Sequence, residues 1–237
     1  MKLQQYDKYS TDDHKNWNFL YTRQKKIILE EASSEFQKGF KQLNLTATHV
    51  QDINALNKYL YQECGWVVEP VTGLVPLSEF LQLLINHKFP VNPVIRNSNE
   101  LEFSELPDIF HDLYGHVPML LSDIFNRFIC DFAKSTIGYA ENAKVADIIS
   151  RFYWFSLETG LIKEENKLRP YGGAILTSAS ELANISRPEV LKAKFETHKV
   201  VQTEYSSFSL QKLYFYITSY DDLFEELEHL KTILRAY

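Results

Sequence analysis

Leu106-Pro107-Asp108-Ile109-Phe110-His111-Asp112-Leu113-Tyr114-Gly115-His116-Val117-Pro118 holds two histidines five residues apart, with acids at Asp108 and Asp112 and a proline near each end. Ile109, Leu113 and Phe110 fall at helical spacing, so the stretch reads as a short buried helix starting near Pro107. On an ideal helix, positions i and i+5 lie about 140° apart, because each residue turns about 100°. Two side chains so placed do not share a face. Gly115 and Pro118 read as a helix stop, with His111 on the last turn and His116 just past it. A break there lets both imidazoles converge on one metal ion.

Composition narrows what surrounds this stretch. The chain has 237 residues, 45% hydrophobic and 24% charged, an ordinary globular make-up with length enough to bury a core without staples. Only 8 Gly and 8 Pro argue against a turn-rich β protein and against a glycine-rich nucleotide loop. A formal net charge of -6 without a basic run argues against nucleic acid or an anionic membrane as partner. Cys64 and Cys130 stand in unrelated contexts and read as buried free thiols of a reduced compartment. The N-terminus lacks an apolar signal core, and no run approaches ~18 apolar residues. A soluble, cytoplasmic protein is expected.

Along the chain, residues 1–10 read as a loose lead-in and 11–237 as one domain. Thr11-Asp12-Asp13 offers a cap and early acids for a helix carrying Trp17, Leu20, Tyr21, Gln24 and Ile28 on one face. Helical periods follow through Phe36, Phe40 and Leu43, and through Ile53, Leu56 and Leu60, the latter ending at Gly65-Trp66. Val67, Val68 and Val71 suggest a short strand, Ser78 a helix cap before Phe80, Leu81, Leu84 and Ile85, and Phe89–Arg96 an extended segment biased by its prolines. Later helices are expected through Ile124–Phe132, from about Ala143 to Gly160, and from Asp221 onward. Leu168–Leu176 reads as a loop, and Val200–Tyr205 and Leu213–Thr218 as strands. The fold class is mainly α, a single domain of helices with a few short strands.

Two histidines on their own read as readily as core or capping side chains. Tyr153-Trp154-Phe155-Ser156-Leu157-Glu158-Thr159-Gly160-Leu161 changes the weighing, because it places one acid in a nearly all-apolar helix. A buried carboxylate costs several kcal/mol unless it is paired or bound to a metal. Glu158 therefore either pairs with an arginine such as Arg151 or Arg169, faces solvent, or joins His111 and His116 on a metal. Two histidines and a carboxylate on one face of an ion leave the other face open, the arrangement of non-haem Fe(II) oxygen-activating sites. The same donors can hold zinc in a hydrolase. No His-Glu-x-x-His run is present.

These blocks, together with Tyr171-Gly172-Gly173-Ala174-Ile175-Leu176-Thr177-Ser178, resemble the catalytic domain of the pterin-dependent aromatic amino acid hydroxylases, most of all the short bacterial phenylalanine 4-hydroxylases, from about Tyr9 to the end. The resemblance implies His111, His116 and Glu158 as ligands of Fe(II), and Arg96, fifteen positions before His111, as the partner of the substrate carboxylate. It implies Phe80 stacked on a tetrahydropterin co-substrate (tetrahydrobiopterin or a similar molecule), beside the backbone of Gly73, Leu74 and Val75. Trp154 walls the amino acid pocket, Tyr153 lies near the iron, Ser178 borders the substrate, and Thr177 supports the first iron histidine from the substrate side. Asp112 replaces a glutamate that reaches the pterin through water. Glu105 and Leu106, Thr159 (for an aromatic) and Ala174 (for a glycine) are further departures. The implied reaction is ring hydroxylation with O₂, first of phenylalanine to tyrosine, with preference for tryptophan or tyrosine as the alternative that space near Thr159 leaves open. A zinc hydrolase and a non-catalytic binding module of the same fold are the readings from other classes. With few residues before Thr11 and a short segment after Asp221, a monomer without a regulatory domain is expected.

Overall fold

The computed structural model describes residues 4–102, 104 and 106–237. Three helices open the chain: α1 (Thr11–Glu31), α2 (Ser34–Leu43) and α3 (Ile53–Cys64). The apolar faces legible in the sequence are the faces buried, with Trp17, Leu20, Phe36 and Leu60 fully enclosed. The cap of α1 is Ser10 rather than Thr11: its hydroxyl takes the Asp13 N–H while the Asp13 carboxylate takes the Ser10 N–H. The lead-in is not loose from Gln4 onward. The Gln4 amide bonds Gln51 O and the Ile53 N–H, and Tyr9 donates to Pro93 O, which pins the segment across the start of α3. Met1–Leu3 of the expected lead-in, and Glu105 among the departures, lie outside the described residues.

Strand β1 (Val67–Pro70) pairs in parallel with β2 (Lys88–Val91), with α4 (Leu77–Ile85) crossing between them. Helix α4 begins after Pro76, so Ser78 lies within its first turn and does not cap it. A one-turn helix, α5 (Val117–Leu120), and a longer one, α6 (Asp123–Thr136), precede α7 (Ala143–Tyr153). A hairpin of β3 (Leu161–Glu164) and β4 (Lys167–Pro170) turns through Glu165 and Asn166, both left-handed at φ 48° and 66°. After α8 (Gly173–Leu176) and α9 (Ala179–Ile185), strands β5 (Leu191–Lys194) and β6 (Leu213–Ile217) complete a four-stranded sheet ordered β4-β3-β6-β5. Helix α10 (Thr197–Val200) sits between them, and α11 (Asp221–Leu234) closes the chain. The loop expected at Leu168–Leu176 is thus strand to Pro170 and helix from Gly173, with only Tyr171 and Gly172 between them. The strand expected at Val200–Tyr205 is absent: Thr197 starts a helical turn there, its N–H and hydroxyl both held by Glu226 of α11.

The decisive correction concerns the two-histidine stretch. The helix does not stop at Gly115. His111–His116 forms a widened π-helical turn that runs directly into α5. A π turn bonds residue i to i+5, so it brings positions five apart into register where an α-helix would splay them. A second π turn, Trp154–Glu158, extends α7 and ends on the acid. Gly115 serves close packing instead. A Cβ there would stand 2.8 Å from Gly173 O, so its absence lets α8 lie on the histidine turn. Gly172 does the same for the second turn, where a Cβ would stand 2.4 Å from Glu158 O.

Candidate metal centre and its cleft

The two π turns face each other, and their three polar side chains meet. His111 Nε2 and His116 Nε2 are 3.1 Å apart, and Glu158 Oε2 lies 3.6 Å and 3.3 Å from them. Among the described residues this is the one trio of His, Cys, Asp and Glu able to share an ion. A metal bonded at about 2.1 Å places right-angled donors about 3.0 Å apart and tetrahedral ones about 3.4 Å apart. The observed spacings of 3.1–3.6 Å lie close to these values. Glu158 Oε2 is buried without a hydrogen-bond partner, and an arginine does not relieve it: Arg151 pairs with Asp147 and Arg169 with Glu164. A buried carboxylate oxygen without a hydrogen bond, aimed at two imidazoles, fits a cation between them.

Protonation supports the same fit. The Thr177 hydroxyl donates to Gly173 O at 2.8 Å, so toward His111 Nδ1, 3.1 Å away, it is left as an acceptor. That assigns the proton of His111 to Nδ1 and its lone pair to Nε2, facing the other donors. Burial pushes the His111 imidazole down to about 4, against the pull of Glu158. Burial acts upward on Glu158, but the His116 charge outweighs it and holds the carboxyl at about 2. Burial likewise opposes the charge on His116, yet the Glu158 carboxylate raises it. A proton on His116 and a divalent cation therefore compete for the same carboxylate, so binding of the cation favours the neutral imidazole. Thr177→Val removes the hydroxyl that orients His111 and is expected to weaken metal binding about 10- to 100-fold. Competition against a chelator measures it, with Thr177→Ser restoring the wild-type value.

The trio lies in a cleft of about 670 Å³, a size suited to small organic molecules. One wall carries Gly73, Leu74, Val75 and Phe80. Gly73 holds φ +60°, and Phe80 meets the Tyr153 ring edge-on at 5.1 Å. Trp154, Thr159, Thr177 and Ser178 also line the cleft. Ser178 also caps α9 by taking the Glu181 N–H. The Thr159 hydroxyl donates to Trp154 O at 3.0 Å, so its proton is already engaged. Asp112 lies on the cleft wall with one carboxylate oxygen already taken by the Asn92 N–H at 2.7 Å; burial pushes its carboxyl well up.

Arg96 reaches the cleft from the extended segment after β2, and it is not a surface charge. Its Nε and Nη2 each lie 2.8 Å from an oxygen of the buried Asp108. Burial pushes the Asp108 carboxyl up, but the guanidinium prevails and holds it below the usual range. Asp108 also takes the Arg96 and His111 N–H groups. One carboxylate thus orients the guanidinium and caps the helix bearing the first histidine. Sequence reasoning noted Asp108 without assigning it this work. Its position three residues before His111 is an N-cap spacing and was the available signal. Tyr205, stacked on Trp154 at 4.6 Å, and Gln211 were missed altogether.

The family model for biopterin-dependent aromatic amino acid hydroxylases matches residues 4–237. The chain is 35% identical to the phenylalanine-4-hydroxylase of Chromobacterium violaceum over 220 residues, 92% of this chain and 74% of that one. It is 34% identical to that of Pseudomonas aeruginosa over 217 residues, 92% of this chain and 82% of that one. A crystal structure of the C. violaceum enzyme with iron(III) and 7,8-dihydrobiopterin superposes with a TM-score of 0.92 at 34% identity, over 99% of this chain and 86% of that one. Phenylalanine hydroxylase from Legionella pneumophila superposes at 0.89 with 32% identity, over 96% and 92%.

Proposed function

The chain belongs to the biopterin-dependent aromatic amino acid hydroxylases, and from that membership we propose how its residues divide the work. The protein is an iron- and pterin-dependent monooxygenase that hydroxylates the ring of phenylalanine to give tyrosine. The observation that carries the assignment of residues is the convergence of His111, His116 and Glu158 within 3.1–3.6 Å at a cleft with aromatic walls. These three would hold Fe(II). Iron and a tetrahydropterin, when bound, supply the redox chemistry that activates O₂.

The chain's own part is to bind, orient and exclude water. Arg96, steadied by Asp108, offers its remaining guanidinium donors to the amino acid carboxylate. Trp154 and Thr159 border the substrate ring, and Ser178 the rest of the amino acid. Phe80 supplies a face for the pterin, Gly73, Leu74 and Val75 bring backbone to its edge, and Asp112 reaches it through water. Tyr153, beside Glu158 and against Phe80, closes the gap between the pterin wall and the metal. Apolar walls keep bulk water from the reacting ring.

Family membership removes the zinc hydrolase, and a binding module that lost its chemistry has no use for a buried, unpartnered carboxylate oxygen at Glu158. The test is product analysis with phenylalanine, tyrosine and tryptophan, each supplied with Fe(II) and tetrahydropterin in air. Tyrosine from phenylalanine is the expected main product, with no turnover when zinc replaces iron. Faster turnover of tryptophan would reassign the substrate and point to the space at Thr159. We also read residues 11–237 as one catalytic domain, working as a monomer in the cytoplasm. Among the described residues no helix is long and apolar enough to cross a membrane, and a stable tetramer in sedimentation equilibrium would overturn the monomer.

A further inference from the structure

Gln211, at the entrance to β6, is a buried amide whose every polar group is engaged. Its Oε1 accepts the Trp154 indole N–H at 3.2 Å. Its Nε2 donates to Ser206 O at 2.7 Å and Ser209 O at 3.1 Å. Its backbone N–H goes to Glu181 Oε1 and its carbonyl takes the Asn184 amide, so α9 holds it from behind. Glu181 and Asn184 are themselves locked on the Tyr214 hydroxyl. Residues 205–210 form no regular element, and Tyr205 at their start lies flat on the Trp154 ring, 4.6 Å away at 16°. Ser207, Phe208 and Leu210 of this segment line the cleft although they are exposed. One side-chain amide thus holds two carbonyls of an irregular segment that lines the cleft, and the same amide holds the indole on which the start of that segment is stacked.

We propose that Gln211 is the positioning residue that joins the Trp154 indole and the 205–210 segment into one rigid wall of the amino acid pocket, a proposal that rests on the reading of Trp154 as part of that pocket. Gln211 touches neither the metal trio nor the Phe80 side of the cleft. Its loss should therefore be felt by the amino acid and not by iron or pterin. A buried hydrogen bond lost from such a wall corresponds to about a tenfold change in KM.

The experiment compares Gln211→Met, Trp154→Phe and the double variant by KM for phenylalanine, KM for pterin, Fe(II) stoichiometry and acrylamide quenching of tryptophan emission. Trp17 and Trp66 are fully buried, so a gain in quenching reports Trp154. Gln211→Met is expected to raise KM for phenylalanine about tenfold, to leave iron stoichiometry and pterin KM unchanged, and to open the indole to acrylamide. Trp154→Phe removes the indole N–H together with part of the ring that faces the cleft and Tyr205, and should raise the same KM. The double variant should rise less than the product of the two, because the partners share one bond. A raised KM in Trp154→Phe beside a normal one in Gln211→Met, or single effects that multiply, would overturn the proposal. A normal KM in both would overturn the placement of Trp154 as well. If Gln211→Met does not fold, Gln211→Glu keeps an oxygen for the indole and loses both donors to Ser206 and Ser209. Faster proteolysis within 205–210 with unchanged quenching is then the expected result, and an unaltered cleavage rate overturns the proposal.

Discussion

Glu158→Ala is expected to lose tight Fe(II) binding and, with it, phenylalanine hydroxylation. The loss should exceed the roughly 100-fold that removal of a mere supporting partner costs, because one of three donors is gone. The variant removes no packing that matters to the fold, since the carboxylate sits against two imidazoles rather than in the apolar core. It also makes a pH prediction for the metal-free chain. The depressed pKa of Glu158 contributes stability above its ordinary 4.5, and this is lost as pH falls toward about 2. The raised pKa of His116 contributes stability below its ordinary 6.5, and this is lost as pH climbs through the folded value. The pair therefore stabilises the metal-free protein most between about pH 4.5 and 6.5. Glu158→Ala should flatten the wild-type stability profile there and leave it little changed at higher pH. Iron content, turnover and denaturation midpoints against pH measure all three. Full iron occupancy in Glu158→Ala would remove Glu158 from the donor set.

The spacing that makes this trio possible was visible in the sequence as an anomaly and not as its solution. Histidines five apart clash with an α-helical reading, and a helix stop at Gly115 was the local remedy. The actual remedy, a π turn, depends on what lies across the interface: Gly115 and Gly172 let α8 seat against both ligand turns. Nothing within thirteen residues of sequence encodes that. The long amphipathic faces of α1, α2 and α6 were legible because burial follows their own period. Short elements were not. The β3–β4 hairpin turns through Glu165-Asn166, without the glycine that usually marks such a turn. Val200 and Val201 look like strand residues, yet Glu226 from α11 commits Thr197 to a helical turn that takes in Val200. Arg96 was legible as a candidate for the carboxylate, but its dependence on Asp108, twelve residues away across an irregular segment, was not.

That dependence alters what Arg96 variants should do. Lost substrate binding alone would give Arg96→Ala a raised KM for phenylalanine and a normal protein. Arg96 and Asp108, however, are both buried and bonded through two parallel contacts of 2.8 Å. Removing one member of such a pair leaves the other uncompensated and costs about 3–5 kcal/mol. Both Arg96→Ala and Asp108→Ala should therefore melt well below the wild type. The double variant should be less destabilised than the sum of the two, since it leaves no charge behind. Arg96→Lys should fail to rescue, because an ammonium cannot span both oxygens of Asp108 and still face a substrate carboxylate. Iron separates the two singles. Asp108 caps His111 through the backbone N–H at 2.9 Å, whereas Arg96 meets the ring of Phe110 just before that turn. Asp108→Ala should thus weaken Fe(II) binding as well as raise KM, whereas Arg96→Ala should raise KM with iron affinity near the wild-type value. Equal loss of iron in both would mean that the ion pair acts on the metal turn as one unit, and that the carboxylate clamp and the metal site cannot be varied independently in this fold.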